Sequence, residues 1–175
     1  TLFARACQRY PRMFIALYST KRSGTWLVAT PETLIGGHCG QMHTMALAGT
    51  MRPGTGEWSD KNKREQKYVE TYITECVRQF SDDINVEGPY TTYAADLQHL
   101  RSDIRFSMND TALIGNVVDA LHPTPAVCGI PKDETRRFII DNESQPRGYY
   151  SGFAGPFNPN GDTHLFVTLR CMHIE

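Results

Sequence analysis

"RMFIALYSTKRSGTWLVAT", residues 12–30, reads as one β-hairpin. "RMFIALYS" and "TWLVAT" are short runs rich in β-branched and aromatic residues, and the polar string "TKRSG" between them is a turn. A hairpin makes its neighbours antiparallel, which sets the class of sheet to expect from the rest of the chain. Upstream, residues 2–10 form a helix that Pro11 stops. Downstream, "GGHCGQMHTMALAGT" (36–50) reads as a Gly-rich turn leading into a strand, and "MRPGTGEWSD" (51–60) as a loop.

The loop delivers the chain to an amphipathic helix running to about Phe80, with Ser59 or Asp60 as its cap. Tyr68, Val69, Tyr72, Ile73, Cys76, Val77 and Phe80 recur at three-and-four spacing and define the face expected to be buried. One step back along that stripe lies Glu65, with Lys61, Lys63, Arg64 and Lys67 around it. Further on, "DDINVEGPYTT" (82–92) is expected to be a connection containing a turn, and "YAADLQHLRSDIRFSM" (93–108) a long strand. "DTALIGNVVDAL" (110–121) is an amphipathic helix capped by Asp110. "LHPTPAVCGIP" (121–131), with three prolines, is expected to be a stiff loop. A helix over "KDETRRFIIDNE" (132–143) and strands around "GYYSGFAGPF" and "HLFVTLRCMHI" (164–174) complete the chain. Strand pairs beside surface helices make the expected class α+β with largely antiparallel sheets flanked by helices. The helix-like start and the strand at the end suggest one partial domain over residues 1–175, truncated at both ends.

Composition narrows the function classes. The 175 residues are 40% hydrophobic, with 18 basic against 19 acidic side chains, an ordinary globular balance. A net charge of -1 gives no reason to expect nucleic acid or an anionic membrane as partner. No apolar run approaches a membrane span and no signal peptide is visible. Five scattered cysteines, without CxxC pairing, argue against a disulfide framework or zinc site and for a reducing cytoplasmic setting.

Several residues could carry chemistry, each with a plainer reading beside it. Glu65 is either a surface partner for Lys61 one turn away or a ligand for a hard cation such as Mg2+. Glu32, in "VATPETL", is a solvated loop-end carboxylate or, if partly buried, a general acid with a raised pKa. Gly49 is an ordinary turn glycine or one that provides an unusual φ or close backbone approach to a ligand. The proline-rich string offers a rigid wall for a polar ligand or a structural connection. Arg147, Tyr150 and Arg170 are candidate receptors for carboxylates; by alternation Arg170 shares a strand face with Thr168 and His164, and its plainer reading is an exposed arginine on a solvated sheet face. His99 is a packed core residue or a ligand contact. The phosphate-binding glycine motifs and the GxSxG and HExxH signatures are absent.

In chain order, "TPE" (30–32), "ALAGT" (46–50), "DKNKRE" (60–65), "LQHLRSDI" (97–104), "LHPTPAVCGIPK" (121–132), "RGYYSGFAG" (147–155) and "FVTLRC" (166–171) resemble the motifs of the chorismate-utilising enzymes. Within that family the chain looks like the isochorismate synthases, with a preference for the menaquinone branch. Anthranilate and aminodeoxychorismate synthases carry a "PAGTxSGAPK" type loop where this chain has "HPTPAVCGIPK". Aminodeoxychorismate synthases often place a nucleophilic lysine where Ala48 stands. The resemblance implies the anthranilate synthase component I-like fold, present in part, and a Mg2+-dependent reaction. Water adds at C2 of chorismate as the C4 hydroxyl leaves. It further implies Glu32 as the acid that protonates the departing hydroxyl and Glu65 as a Mg2+ ligand. Gly49 and Ala126 would line the substrate, Tyr150 and Arg170 would meet the enolpyruvyl carboxylate, and His99 would lie close to them. The family's general-base lysine falls before the first residue of this chain, and a second metal-binding glutamate falls after the last. The 175-residue chain is therefore expected to be inactive alone. The alternatives are a salicylate synthase of the same family and a non-catalytic fragment that only binds.

Overall fold

The computed structural model describes residues 1–174, and the chain divides into two compact units. Unit 1 comprises residues 1–32, 123–154 and 166–175, of which the structure describes all but the last; unit 2 comprises residues 33–122 and 155–165. The fold is α+β with antiparallel sheets.

Unit 1 opens with helix α1 (Leu2–Arg9) and the expected hairpin, β1 (Phe14–Thr20) and β2 (Gly24–Thr30), in register from Phe14↔Thr30 to Thr20↔Gly24. Strand β9 (Cys171–Ile174) adds antiparallel to the far side of β2, giving the order β1-β2-β9. The apolar side chains Leu27 and Val28 are buried in this sheet, and Phe14 stacks flat on Phe166 with ring centroids 4.3 Å apart.

Unit 2 is built on β3 (Thr33–His38), β4 (Gln41–Met51), β5 (Ile84–Ala94) and β6 (Leu97–Ser107), with β8 (Asp162–Val167) alongside β3. The last two residues of β8 belong to unit 1 and pair with the two-residue β7 (Phe153–Ala154). Helix α2 (Asp60–Arg78) lies on β4 and β6, and α3 (Ile114–Leu121) packs beside it. Ile73, Cys76 and Val77 of α2, Ile104 and Phe106 of β6, and Ile114, Val117 and Leu121 of α3 form the core. Ser59 caps α2, its hydroxyl accepting from the Asn62 amide at 3.3 Å, a contact worth about 1 kcal/mol. Asp110 caps a single 3-10 turn (Thr111–Leu113) that precedes α3.

Several expectations are corrected. The buried face of α2 is rotated from the apolar stripe: Tyr68 is 68% exposed, while Gln66 and Glu70 are buried. The first half of that face is polar because it hydrogen-bonds to the sheet instead of merely covering it. Gln66 Nε2 donates to the Ala46 carbonyl at 3.0 Å and to Ser102 Oγ at 3.2 Å. Ser102 in turn donates to Glu70 Oε2 at 2.6 Å, and Lys67 Nζ reaches Glu70 Oε1 at 2.7 Å. Burial pushes the Glu70 carboxyl up, but the Lys67 and Ser102 bonds outweigh it and leave its pKa below the ordinary value.

Gly36 and Gly37 lie inside β3 rather than in a turn, which falls at Cys39–Gly40. At Gly36 a Cβ would sit 2.6 Å from the imidazole of His43, so the glycine makes room for a side chain on the neighbouring strand. Residues 84–94 form a strand despite Gly88-Pro89, because a bulge between Glu87 and Tyr90 absorbs the proline on the sheet edge. The proline-rich string contains one helical turn, α4 (Pro125–Cys128), with Pro125 at the first position, where its missing N–H costs nothing. Helix α5 (Lys132–Asn142) follows as expected. The final strand is broken at Val167, where the Leu169 amide turns back onto the Val167 carbonyl, so Arg170 does not continue a face shared with His164. Around "GYYSGFAGPF" only Phe153–Ala154 is a strand; the tyrosines lie in turns.

Candidate active site

Glu32 follows Pro31 at the end of β2 and is 4% exposed. Its backbone carbonyl accepts from the Val167 amide at 3.0 Å, which fixes the residue against the end of β8. One carboxyl oxygen, Oε1, accepts from Thr124 Oγ1 at 3.0 Å. The other, Oε2, is buried without a hydrogen-bond partner among the described residues. Burial pushes the pKa up to about 7, against the smaller lowering effects of the Thr124 bond and the positive charge of Arg170. Loss of solvation outweighs both, as in carboxylic acids held protonated near neutrality. Glu32 is thus a buried acid with one oxygen anchored and one unpaired.

Thr124 is the residue that sequence reasoning did not single out. It stands at the N-cap of α4, yet its hydroxyl makes no capping bond and serves Glu32. A threonine flanked by Pro123 and Pro125 is a recognisable cap signal, but nothing local discloses the bond to a residue 92 positions away.

Arg147 binds the same region together. Its Nε donates to Glu143 Oε2 at 2.6 Å and a second nitrogen pairs with the other oxygen of Glu143. Its remaining nitrogen donates to the Val127 carbonyl at 2.9 Å and Ser151 Oγ at 3.2 Å. The guanidinium also lies 5.3 Å from the ring centre of Tyr150, a cation–π contact. With its donors committed, Arg147 is a structural clamp and not the open carboxylate receptor considered from the sequence. Arg170 is half-buried, and no salt bridge pairs its guanidinium among the described residues. Ala126 and Tyr150 are exposed. Unit 1 therefore brings Glu32, Ala126, Tyr150 and Arg170 into one connected set through Thr124, α4 and Arg147.

Unit 2 carries the others, and of these it brings Gly49 and His99 together. Gly49 sits where β4 bulges between Ala48 and Met51, with φ +69°. A Cβ there would press within 3.3 Å of Asn62 and 3.4 Å of Trp58, at the head of α2. The Gly49 carbonyl faces Nδ1 of buried His99 at 3.0 Å, with Thr50 Oγ1 at 3.2 Å from the same nitrogen. A carbonyl only accepts, so Nδ1 carries the proton. Glu65 is exposed on α2, and neither the buried position nor an ion pair with Lys61 is realised among the described residues. Its neighbour Gln66 is fully buried. Among the described residues no group of three His, Cys, Asp or Glu side chains converges in a way that could hold a metal. Glu65 alone supplies too few oxygens for Mg2+, which needs six ligands; the residues present do not make a complete metal site.

The family model described as "Chorismate binding enzyme" matches residues 1–175. The chain is 30% identical over 167 residues to the salicylate biosynthesis isochorismate synthase of Pseudomonas aeruginosa, covering 88% of this chain and 35% of that protein. It is 33% identical over 161 residues to the isochorismate synthase MenF of Escherichia coli K12, covering 86% of this chain and 37% of the relative. Among solved structures, the menaquinone-specific isochorismate synthase MenF from Escherichia coli superposes with a TM-score of 0.87 at 26% identity, covering 97% of this chain and 42% of that chain. Anthranilate synthase component I from Streptococcus pneumoniae shares the fold, with a TM-score of 0.84 at 20% identity, covering 97% of this chain and 40% of that chain. The chain thus spans well under half the length of these relatives.

Proposed function

The chain belongs to the chorismate-binding enzyme family, and from that premise we propose that it forms part of a cytoplasmic isochorismate synthase. The observation that carries this reading is Glu32: buried, held through one oxygen by Thr124, unpaired at the other, and protonated up to about pH 7. The reaction needs an acid that gives its proton to a departing hydroxyl and then tolerates its own charge. Oε2 is the oxygen available to carry that proton. After transfer, the carboxylate keeps the Thr124 hydrogen bond and gains from the positive field of Arg170.

In this reading water adds at C2 of chorismate, giving one proton to a general base of the longer protein, while the C4 hydroxyl leaves as water with the proton from Glu32. In unit 1, Arg170 and Tyr150 receive the enolpyruvyl carboxylate and Ala126 borders the ring; in unit 2, His99 holds the Gly49 carbonyl in place. Glu65 would supply one oxygen ligand for Mg2+, and the metal's chemistry when bound would be to neutralise a substrate carboxylate. The menaquinone branch is the proposed use of the product, supported by the likeness to MenF.

The test is chorismate turnover by the protein at the length of its relatives, with products separated and weighed. Isochorismate is the expected product; salicylate with pyruvate would assign the salicylate synthase reaction instead. Glu32→Gln abolishes turnover while chorismate still binds in the presence of Mg2+. A nearly unchanged kcat would remove Glu32 from its role, and turnover by the isolated 175-residue chain would show that it contains a complete site.

A further inference from the structure

The turn joining β3 and β4 places a nucleophile, a base and an orienting carboxylate in line. Cys39 Sγ lies 3.1 Å from His38 Nε2, and His38 Nδ1 lies 2.8 Å from Asp162 Oδ1. Asp162 begins β8, 124 residues away in sequence, so this arrangement is made by the fold and not by the turn alone. A carboxylate accepts only, so it fixes the proton on Nδ1 and leaves Nε2 as the acceptor facing the thiol. The second acceptor near the sulfur, the Asn160 carbonyl, is farther at 3.8 Å. Cys39 is also held with φ +47°, ahead of Gly40 at +82°, so the sulfur projects from a tight left-handed turn. Among the described residues Cys39 is the exposed cysteine; Cys76 and Cys128 are buried, and Cys7 and Cys171 are partly covered.

We propose that Cys39, His38 and Asp162 form a thiol-modification site, at which Cys39 exchanges with small disulfides through His38 as base. The His38–Cys39 contact delivers the thiol proton to Nε2 as the sulfur attacks one sulfur of the disulfide. The disulfide's S–S bond breaks as the Cys39–sulfur bond forms, and its other half leaves as a thiolate. His38 returns the proton to that leaving thiolate, and Asp162 balances the charge on the ring meanwhile. The product is a mixed disulfide on Cys39 plus one free thiol, with no further oxidant. The side chains of His38 and Asp162 are 64% and 73% exposed, so solvent competes and a small reagent has access. With all three residues open to solvent, the site is read as a place of modification and not as a hydrolase.

The probe is the chromogenic reagent dithiobis-nitrobenzoate, under pseudo-first-order conditions at neutral pH, with the modified peptide identified by mass. Cys39 is expected to react first, and His38→Asn to slow it by about tenfold, less than a full general-base contribution because the pair is wet. Asp162→Asn gives a smaller loss, and Cys39→Ser removes the fast phase. Circular dichroism confirms that each variant is folded; the Asp162→Asn arm decides if His38→Asn is not. Oxidised glutathione then shows the same order of rates by intact mass. First reaction at another cysteine, or a base variant that reacts within about twofold of wild type, overturns the proposal.

Discussion

Glu32→Gln should make the chain more stable at neutral pH. In the folded chain the carboxyl is lifted from 4.5 to about 7 by burial. Below pH 4.5 it is protonated in both folded and unfolded states, and its ionisation costs the fold nothing. As pH rises from 4.5 to 7 the unfolded chain releases the proton and the folded chain keeps it. Folding stability therefore falls through that window and levels off above it. A shift of this size corresponds to about 3 kcal/mol. A glutamine keeps an oxygen to accept from Thr124 Oγ1 and never ionises. Urea denaturation of both proteins between about pH 4 and about pH 8 should show the difference between them growing in favour of the variant by about 3 kcal/mol. All other titrating groups cancel in that difference. A gap independent of pH would refute the account, since it would mean that Glu32 titrates alike in both states.

Thr124→Val removes the hydrogen bond that anchors the Glu32 carboxyl and lowers its pKa, so the fall in stability should start at the same pH but extend to higher pH and deepen; an unchanged profile would detach Thr124 from the acid. Gln66→Ala breaks the bonds to the Ala46 carbonyl and Ser102 and empties a fully buried site. It should cost about 2–4 kcal/mol, read as a lower urea midpoint, whereas Glu65→Gln beside it should leave stability within about 0.5 kcal/mol.

How much of this was legible depended on whether the information was local. The first hairpin, the span of α2 and its Ser59 cap follow from neighbouring residues, and they stand as read. The polar half of the α2 face does not: Gln66 and Glu70 look like solvent residues until β4 and β6 supply their partners. Gly36 and Gly37 carry the composition of a turn, but the first is a glycine because of His43 across the strand. Gly88-Pro89 likewise reads as a turn when it marks a bulge. At the site, motif likeness reached Glu32, whereas its raised pKa and its bond to Thr124 required long-range folding. Arg147 shows the converse, since a sequence that advertises a carboxylate receptor also contains the Glu143 that occupies it.

The bulge in β5 has one further consequence, for the behaviour of the molecule in a crowd. An eleven-residue strand at the open edge of a sheet offers a template to any other extended chain. Here the two backbone positions following Glu87 depart from the ladder, and Pro89 has no amide to donate. Arg105 paired with Glu87, and Tyr90 and Arg101 both turned to Asp103, cover the adjoining surface with charge. The Gly-Pro pair, with the look of a turn, keeps the sheet from growing by a seventh strand and protects the chain against self-association while it folds.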